Sequence, residues 1–146
     1  MQALQQALTD ARQRYAAKNP KSFEADKLAE QYMPGGNTRN VLFHEPFPLT
    51  ITGGEGSELT DLDGHRYTDF VGEFSAGLYG HSDPDIKQAI HEGLDHGIAI
   101  GGSTRYERAL ARLLCERFPS VEQLRFCNSG TEAGLMAITT ARLVTG

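Results

Sequence analysis

Cysteine is scarce in this sequence, basic residues are not clustered, and long apolar runs are missing. The 14 basic residues are scattered among 19 acidic ones, and the net charge of −5 argues against a nucleic-acid or other polyanion partner. No apolar run approaches the roughly 18 residues that cross a bilayer. The first fifteen residues have neither the apolar core nor the small-residue cleavage site of a secretory signal. We therefore expect a cytoplasmic protein that binds neither membranes nor nucleic acids.

The two cysteines, Cys115 and Cys127, lie in apolar contexts and lack the short paired spacing of metal ligands. They are typical of a reduced cytosolic protein. The segment Asp61-Leu62-Asp63-Gly64 is similar to the start of a calcium loop, but the later acidic ligands and the closing glutamate are missing. We expect no metal site.

The first half of the chain changes from helical to strand periodicity. Apolar spacing predicts helices over residues 4–15 and 22–32, interrupted by Asn19-Pro20. A period of two then predicts short strands over residues 49–52, 58–61 and 66–70. Two glycine-containing pairs are expected to form the turns between these strands, Gly53-Gly54 and Asp63-Gly64.

A glycine-bearing loop, residues 72–82, leads into the second half. Asp83-Pro84 predicts the start of one helix, and Thr104 with Glu107 predicts a capping box at the start of the next. Residues 121–127 are expected to form a last strand before a final helix. Strands grouped first and a βα unit last indicate an α+β portion that leads into an α/β domain.

The turn Ser129-Gly130-Thr131 joins that last predicted strand to the final helix. The first turn of a helix has backbone N–H groups without intrahelical partners, and its dipole favours negative charge. Gly130 lets an anion approach the backbone closely, and two hydroxyls add donors, so the turn is typical of a phosphate site. The alternative is a capping box between Ser129 and Glu132, which needs no ligand.

Four motifs occur in order: Met33-Pro34-Gly35-Gly36-Asn37-Thr38-Arg39, Asp61-Leu62-Asp63-Gly64, Gly77-Leu78-Tyr79-Gly80-His81 and Asn128-Ser129-Gly130-Thr131-Glu132-Ala133. This series resembles the N-terminal part of the class III pyridoxal-phosphate aminotransferases. Within them it is similar to the branch of glutamate-1-semialdehyde aminomutase and the β-phenylalanine aminotransferases. The resemblance runs from about residue 32 to residue 146.

The resemblance implies an incomplete fold type I transferase of the aspartate-aminotransferase type. It implies pyridoxal 5'-phosphate as cofactor, with its phosphate held by Ser129, Gly130 and Thr131, and a homodimer in which the partner completes this site. The implied domains are a helical arm over residues 1–33, a small-domain meander with a linking helix over 34–103, and the start of the large cofactor-binding domain over 104–146.

Two substrate-binding residues are also implied. Arg39 matches the arginine that binds the substrate carboxylate in the β-phenylalanine branch, and the alternative is a solvated loop arginine or one held in a salt bridge. Phe74, within Glu73-Phe74-Ser75-Ala76-Gly77, matches an aromatic wall of the substrate pocket, and the alternative is a core residue. His81 is expected to shape its turn and not to act as a base.

The resemblance favours an aminotransferase acting on a β-amino acid or a related amino acid, with amino and keto acids as substrates. Asn37 directly follows the glycines, where the aminomutase pattern has a valine. The family's Schiff-base lysine is not matched by Lys18, Lys21, Lys27 or Lys87. We therefore expect a fragment that is inactive alone and contributes no catalytic residue. The alternatives are an aminomutase, a truncated remnant that retains a phosphate site, and a structural fragment without a ligand.

Overall fold

The computed structural model describes residues 2–146, which form five α-helices and one three-stranded antiparallel sheet. The helices are α1 (Gln2–Lys18), α2 (Pro20–Glu30), α3 (Pro84–Asp95), α4 (Arg105–Arg117) and α5 (Gly130–Thr145). The strands are β1 (Ile51–Glu55), β2 (Glu58–Asp61) and β3 (Arg66–Thr68). Two single helical turns lie between α2 and the sheet, Pro34–Gly36 and Asn40–Leu42.

The two N-terminal helices are confirmed, although α2 begins two residues earlier than predicted because Pro20 takes its first position. Their junction packs on Phe47, whose side chain is only 1% exposed. The ring centroid of Phe47 lies 4.9 Å from that of Tyr15 and 5.1 Å from that of Phe23. The Tyr15 hydroxyl also donates to the Phe47 carbonyl at 3.0 Å. This small aromatic cluster is the core of the N-terminal part.

The sheet has the order β1-β2-β3, with Gly54 opposite Leu59 and Leu59 opposite Tyr67. The predicted turn at Gly53-Gly54 is wrong, because both glycines lie inside β1 and the chain reverses at Gly56 and Ser57. Gly56 has φ +55°, the left-handed conformation that glycine adopts readily. The turn that contains Gly64 is confirmed.

The third strand ends at Thr68, two residues before its predicted end. Asp69 ends it, because its Oδ1 accepts hydrogen bonds from the backbone N–H groups of Val71 at 2.8 Å and Gly72 at 3.0 Å. A carboxylate that binds the N–H groups two and three residues ahead closes a turn and prevents further pairing.

Helix α3 begins as predicted, with Asp83 Oδ1 accepting from the Ile86 N–H at 3.0 Å. The predicted capping box of α4 is wrong, because the Thr104 side chain forms no capping hydrogen bond. Residues 105–107 are exposed, so water can satisfy the N–H groups of this first turn.

The strand predicted over residues 121–127 is also wrong, since this segment has no regular structure. A strand exists only where a neighbour accepts its backbone hydrogen bonds. The described part of the chain offers no strand beside this segment, so its apolar pattern is not enough.

The chain divides into two compact units, one up to Gly93 and the other Leu94–Gly146. The first contains α1, α2 and the sheet, and the second contains α4 and α5. The predicted domain boundaries at residues 33/34 and 103/104 stay a prediction. No helix among residues 2–146 is long and apolar enough to cross a bilayer.

Candidate cofactor and substrate site

The Ser-Gly-Thr turn, which we define as Ser129, Gly130 and Thr131, lies at the N-terminus of α5. Ser129 is the N-cap, with an extended backbone, and its Oγ accepts from the Glu132 N–H at 3.2 Å. The Glu132 carboxylate accepts from the Asn128 N–H at 2.8 Å. Both side chains of the predicted capping box therefore cap the helix, with the glutamate one residue displaced from the usual partner.

This cap leaves donors for a ligand. A hydroxyl oxygen that accepts one hydrogen bond still has its own hydrogen to donate, so capping does not consume Ser129. A Cβ atom built on Gly130 would meet nothing within 4 Å, so the backbone there faces open space. Within residues 2–146 the Thr131 hydroxyl has no hydrogen-bond partner. The turn thus combines open N–H groups, two hydroxyls and the positive end of a helix dipole, which suits an anion.

Arg39 lies in the first unit, in a loop whose backbone is fixed by Asn37. The Asn37 side chain accepts from the Arg39 N–H at 3.0 Å and donates to the Gly35 carbonyl at 2.9 Å. The Arg39 guanidinium pairs with Glu73, with 2.6 Å between Nη1 and Oε1. Both side chains are about half exposed, at 52% and 50%. Such a pair contributes about 0–1 kcal/mol, so it orients the guanidinium without locking it.

Phe74 lies in the glycine loop, residues 72–82, directly after Glu73 of this ion pair. Phe74 is 67% exposed, so the interpretation as a core residue is not supported in this chain. Glu73, Phe74 and Ser75 all have positive φ, at +46°, +54° and +80°. Three consecutive left-handed residues that are not glycine are strained, and strain of this kind gathers at functional sites.

The base of this loop is held by Asp69 and His81, a pair that the sequence analysis did not identify. His81 Nε2 lies 2.9 Å from Asp69 Oδ2. The N–H groups of Gly72 and Val71, together with His81, hold the pKa of Asp69 below its ordinary value. The available signal was an aspartate directly after a strand, twelve residues before a histidine. His81 thus shapes its turn, as expected.

The segment similar to a calcium loop has a different role. The Asp63 carboxylate accepts from the N–H groups of Lys21 and Ser22, at 2.8 and 3.0 Å, and from the Ser22 hydroxyl at 2.8 Å. Asp61 is buried and accepts from the Tyr67 hydroxyl at 2.8 Å and the His65 N–H at 2.7 Å. Asp63 thus joins α2 to the sheet, and Asp61 holds the β2–β3 hairpin. Residues 2–146 contain no group of three or more metal-ligating side chains placed to hold an ion.

Two pKa values follow from this arrangement. Burial pushes the pKa of Asp61 upward, but hydrogen bonds from His65 and Tyr67 outweigh it and lower the pKa to about 2. Burial and the hydrogen bond to Asp61 raise the pKa of Tyr67 to about 12. The Asp61 carboxylate is therefore charged across the physiological range.

The predicted site residues thus fall into two groups. Arg39 and the segment with Phe74 share the first unit, where the Arg39–Glu73 pair links their loops. The Ser-Gly-Thr turn belongs to the second unit. The four lysines all precede Gly93, and Leu94–Gly146 contains none.

Two known proteins with similar sequences match nearly all or most of this chain. The chain is 55% identical over 144 residues to a β-phenylalanine transaminase of Variovorax paradoxus. This alignment covers 99% of the chain and 33% of the relative. It is 40% identical over 129 residues to a glutamate-1-semialdehyde 2,1-aminomutase of Syntrophomonas wolfei, in an alignment that covers 86% of the chain and 30% of the relative. The chain therefore spans about a third of the length of the curated relatives it matches.

Solved structures confirm the predicted fold. A β-phenylalanine aminotransferase from Variovorax paradoxus superimposes with a TM-score of 0.92 and 55% identity, over 97% of this chain and 33% of that one. A transaminase with PLP bound superimposes with a TM-score of 0.81 and 35% identity, over 85% of this chain and 29% of that one. The chain has the fold of the N-terminal part of a fold type I transferase.

The sequence model of the class III aminotransferases matches residues 42–145, which is most of the chain. The predicted resemblance is therefore confirmed, and this chain belongs to the class III aminotransferases.

Proposed function

We propose that this chain is part of a pyridoxal-phosphate-dependent aminotransferase that acts on a β-amino acid. The observation that carries the proposal is the 55% identity to a β-phenylalanine transaminase, extending over 99% of the chain. The aminomutase relative is only 40% identical, and Asn37 departs from the aminomutase pattern. We include in the proposal a homodimer located in the cytoplasm, which is consistent with two free cysteines.

The Ser-Gly-Thr turn fits the phosphate of this cofactor. The open space above Gly130 and the Thr131 hydroxyl, which has no partner within residues 2–146, provide the close approach and the donors that a phosphate dianion needs. When bound, the cofactor supplies the electron sink for amino transfer. The part of this chain in that task is to bind and orient the phosphate.

Arg39 is proposed as the anchor of the substrate carboxylate. Its ion pair with Glu73 involves one of the two terminal guanidinium nitrogens, and the guanidinium fork matches a carboxylate in two parallel hydrogen bonds. Phe74, exposed in the adjoining loop, is proposed to contact the substrate side chain.

The test uses a chimaera in which residues 1–146 replace the matching third of the Variovorax transaminase. Steady-state kinetics are measured on β-phenylalanine and on the amine of the same structure without its carboxylate. Arg39→Ala should lower kcat/KM for the acid, and the loss should correspond to about 2–5 kcal/mol of transition-state binding energy. The kcat/KM for the amine should fall far less.

Arg39→Lys is the matched variant, and it should restore little, since an ammonium cannot form two parallel hydrogen bonds. Equal losses on the acid and the amine would show that Arg39 is structural and would contradict the proposed carboxylate anchor.

A further inference from the structure

Asp69 and His81 form a closed connection at the base of the glycine loop. The Asp69 side chain is 8% exposed and the His81 side chain 25%. One oxygen of Asp69 accepts from the N–H groups of Val71 and Gly72, and the other lies 2.9 Å from His81 Nε2. A single carboxylate therefore ties the residues that open the loop to the residue that closes it. We call the two side chains the clasp.

Backbone hydrogen bonds attach both sides of the clasp to the β1–β2 turn. The Asp69 N–H donates to the Ser57 carbonyl at 2.8 Å, and the His81 N–H donates to the Gly56 carbonyl at 2.9 Å. Ser82 Oγ accepts from the Gly56 N–H at 3.0 Å. The loop is thus fixed to the sheet at its two ends.

Two glycines permit close packing at the clasp, Gly54 against the imidazole of His81 and Gly80 against the backbone of the β1–β2 turn. A Cβ atom at residue 54 would lie 2.6 Å from Cγ of His81, and one at residue 80 would lie 2.7 Å from the Gly56 carbonyl oxygen. Both distances are too short for real carbon contacts. Of the two glycines that the sequence suggested as a turn, Gly54 makes space for the His81 ring, whereas a Cβ atom at residue 53 would meet nothing within 4 Å.

The loop above the clasp is strained and borders an open pocket. The pocket has a volume of about 340 Å³ and is lined both by the loop, including Gly72 and Tyr79, and by Gly56 and Ser57 of the β1–β2 turn. Its tip consists of the left-handed residues 73–75, and such conformations persist only where the surrounding structure fixes them. Beyond a few backbone hydrogen bonds within the loop, the tip is held by the half-exposed Arg39–Glu73 pair. The orientation of the tip therefore depends on its base.

We propose that Asp69 and His81 are positioning residues of the substrate pocket, which hold Glu73 at Arg39 and fix the exposed Phe74 in the same turn. This inference rests on the proposed function, because it assigns the loop tip to the pocket. The clasp adjoins the loop with Phe74, whereas the residues proposed to bind the cofactor, Ser129, Gly130 and Thr131, lie more than 45 positions further along the chain. Its loss should change substrate binding and leave cofactor binding intact.

The test compares His81→Gln with His81→Asn in the chimaera. The glutamine amide nitrogen can reach the position of Nε2 and donate to Asp69, whereas the shorter asparagine cannot. His81→Gln should retain KM for β-phenylalanine within about threefold, and His81→Asn should raise it by about tenfold or more, since small misplacements of a pocket are costly. The affinity for pyridoxal phosphate should not change in either variant.

Hydrogen exchange followed by mass spectrometry supplies a readout that is independent of activity. Peptides covering residues 70–80 should exchange faster in His81→Asn than in His81→Gln, while peptides covering residues 51–61 stay the same. His91→Asn, on the exposed face of α3, is the control and should change neither readout.

Equal KM values and equal loop exchange in the two variants would overturn the proposal. So would faster loop exchange in His81→Asn with an unchanged KM, because the clasp would then serve only stability. Equal losses of kcat/KM on the acid and the amine in Arg39→Ala would contradict the proposed carboxylate anchor. The KM difference between the two His81 variants would still test the clasp, because it does not depend on the role of Arg39.

Discussion

At the scale of single residues, the capping role of Ser129 is compatible with the proposed contact to a phosphate. Its oxygen accepts from the Glu132 N–H, and its hydrogen remains available to donate. The neighbouring Glu132 is itself bound to the Asn128 N–H, so the capping box forms without using Thr131. The two interpretations of this turn are therefore compatible.

Thr131 offers the sharper test, because its hydroxyl has no partner among residues 2–146. In the chimaera, Thr131→Ala should weaken the affinity for pyridoxal phosphate by about 1.5–3 kcal/mol, since a hydrogen bond to a phosphate dianion is charge-assisted. Equilibrium titration, followed by the absorbance of the cofactor, measures the change. Thr131→Ser keeps the hydroxyl and should bind nearly as tightly as the unchanged chimaera. An unchanged affinity in Thr131→Ala would leave this turn with its capping role alone.

At the scale of elements, the Asp63 carboxylate attaches α2 to the turn between β2 and β3. Asn19, the N-cap of α2, makes no side-chain capping bond, and Asp63 supplies the acceptor from 41 residues away, at Ser22. Asp61, the last residue of β2, binds His65 and Tyr67 within the hairpin. Helix α2 is thus capped by tertiary structure and not by its own sequence.

This arrangement predicts a loss of stability in acid. Asp61 has a pKa of about 2 in the folded chain, below its ordinary value of about 3.9. The unfolded chain therefore binds more protons between these values, so the stabilisation is complete above about pH 4 and is lost as the pH falls through 2. Urea unfolding of the protein over this range should show a falling free energy of unfolding.

The matched variant is Asp61→Asn, which removes the titrating group. It should lower the free energy of unfolding at neutral pH by about 1–3 kcal/mol, because one charged, buried acceptor oxygen of the Tyr67 hydroxyl and the His65 ring is replaced by an amide nitrogen. It should also flatten the dependence of stability on acid. Glu122→Gln, at an exposed position, is the control and should have little effect on either. A slope as steep in Asp61→Asn as in the unchanged protein would mean that other carboxylates set the acid stability.

At the scale of the whole molecule, the apolar side chains of α3, α4 and α5 remain exposed. None of the three helices contains a buried residue, although α3 and α4 are amphipathic, and exposed examples include Ile90, Leu113, Leu135 and Ile138. Apolar faces of this extent are typical of surfaces that pack against further protein.

The unit that contains the Ser-Gly-Thr turn, Leu94–Gly146, has no lysine. Mixed with pyridoxal phosphate and borohydride, the 146-residue chain should therefore give only low, scattered labelling of its four lysines. Peptide mass spectrometry of the reduced product measures the distribution. Stoichiometric labelling of one lysine would contradict the prediction that the chain contributes no Schiff-base lysine.

Local sequence determined much of this protein. The Asp83 cap of α3 and the Ser129 cap of α5 act through neighbours within four residues, so their patterns predicted helix starts that the structure confirms. Apolar spacing predicted α2, whose first residue, Pro20, was interpreted only as an interruption. The motif series predicted the family for a related reason, because the residues of each motif lie close together in the chain.

Tertiary structure alone decided the rest. Gly53-Gly54 has the composition of a turn, yet both glycines lie in a strand because they pair with β2. The ring of His81, 27 positions later, leaves no room for a Cβ atom at residue 54. Residues 121–127 have the pattern of a strand but no neighbour to pair with in the described chain. The partners of Arg39, Asp63 and Asp69 are set by long-range packing. Periodicity reports which residues avoid water, whereas these contacts depend on which distant backbone segments meet, and only the folded chain determines that.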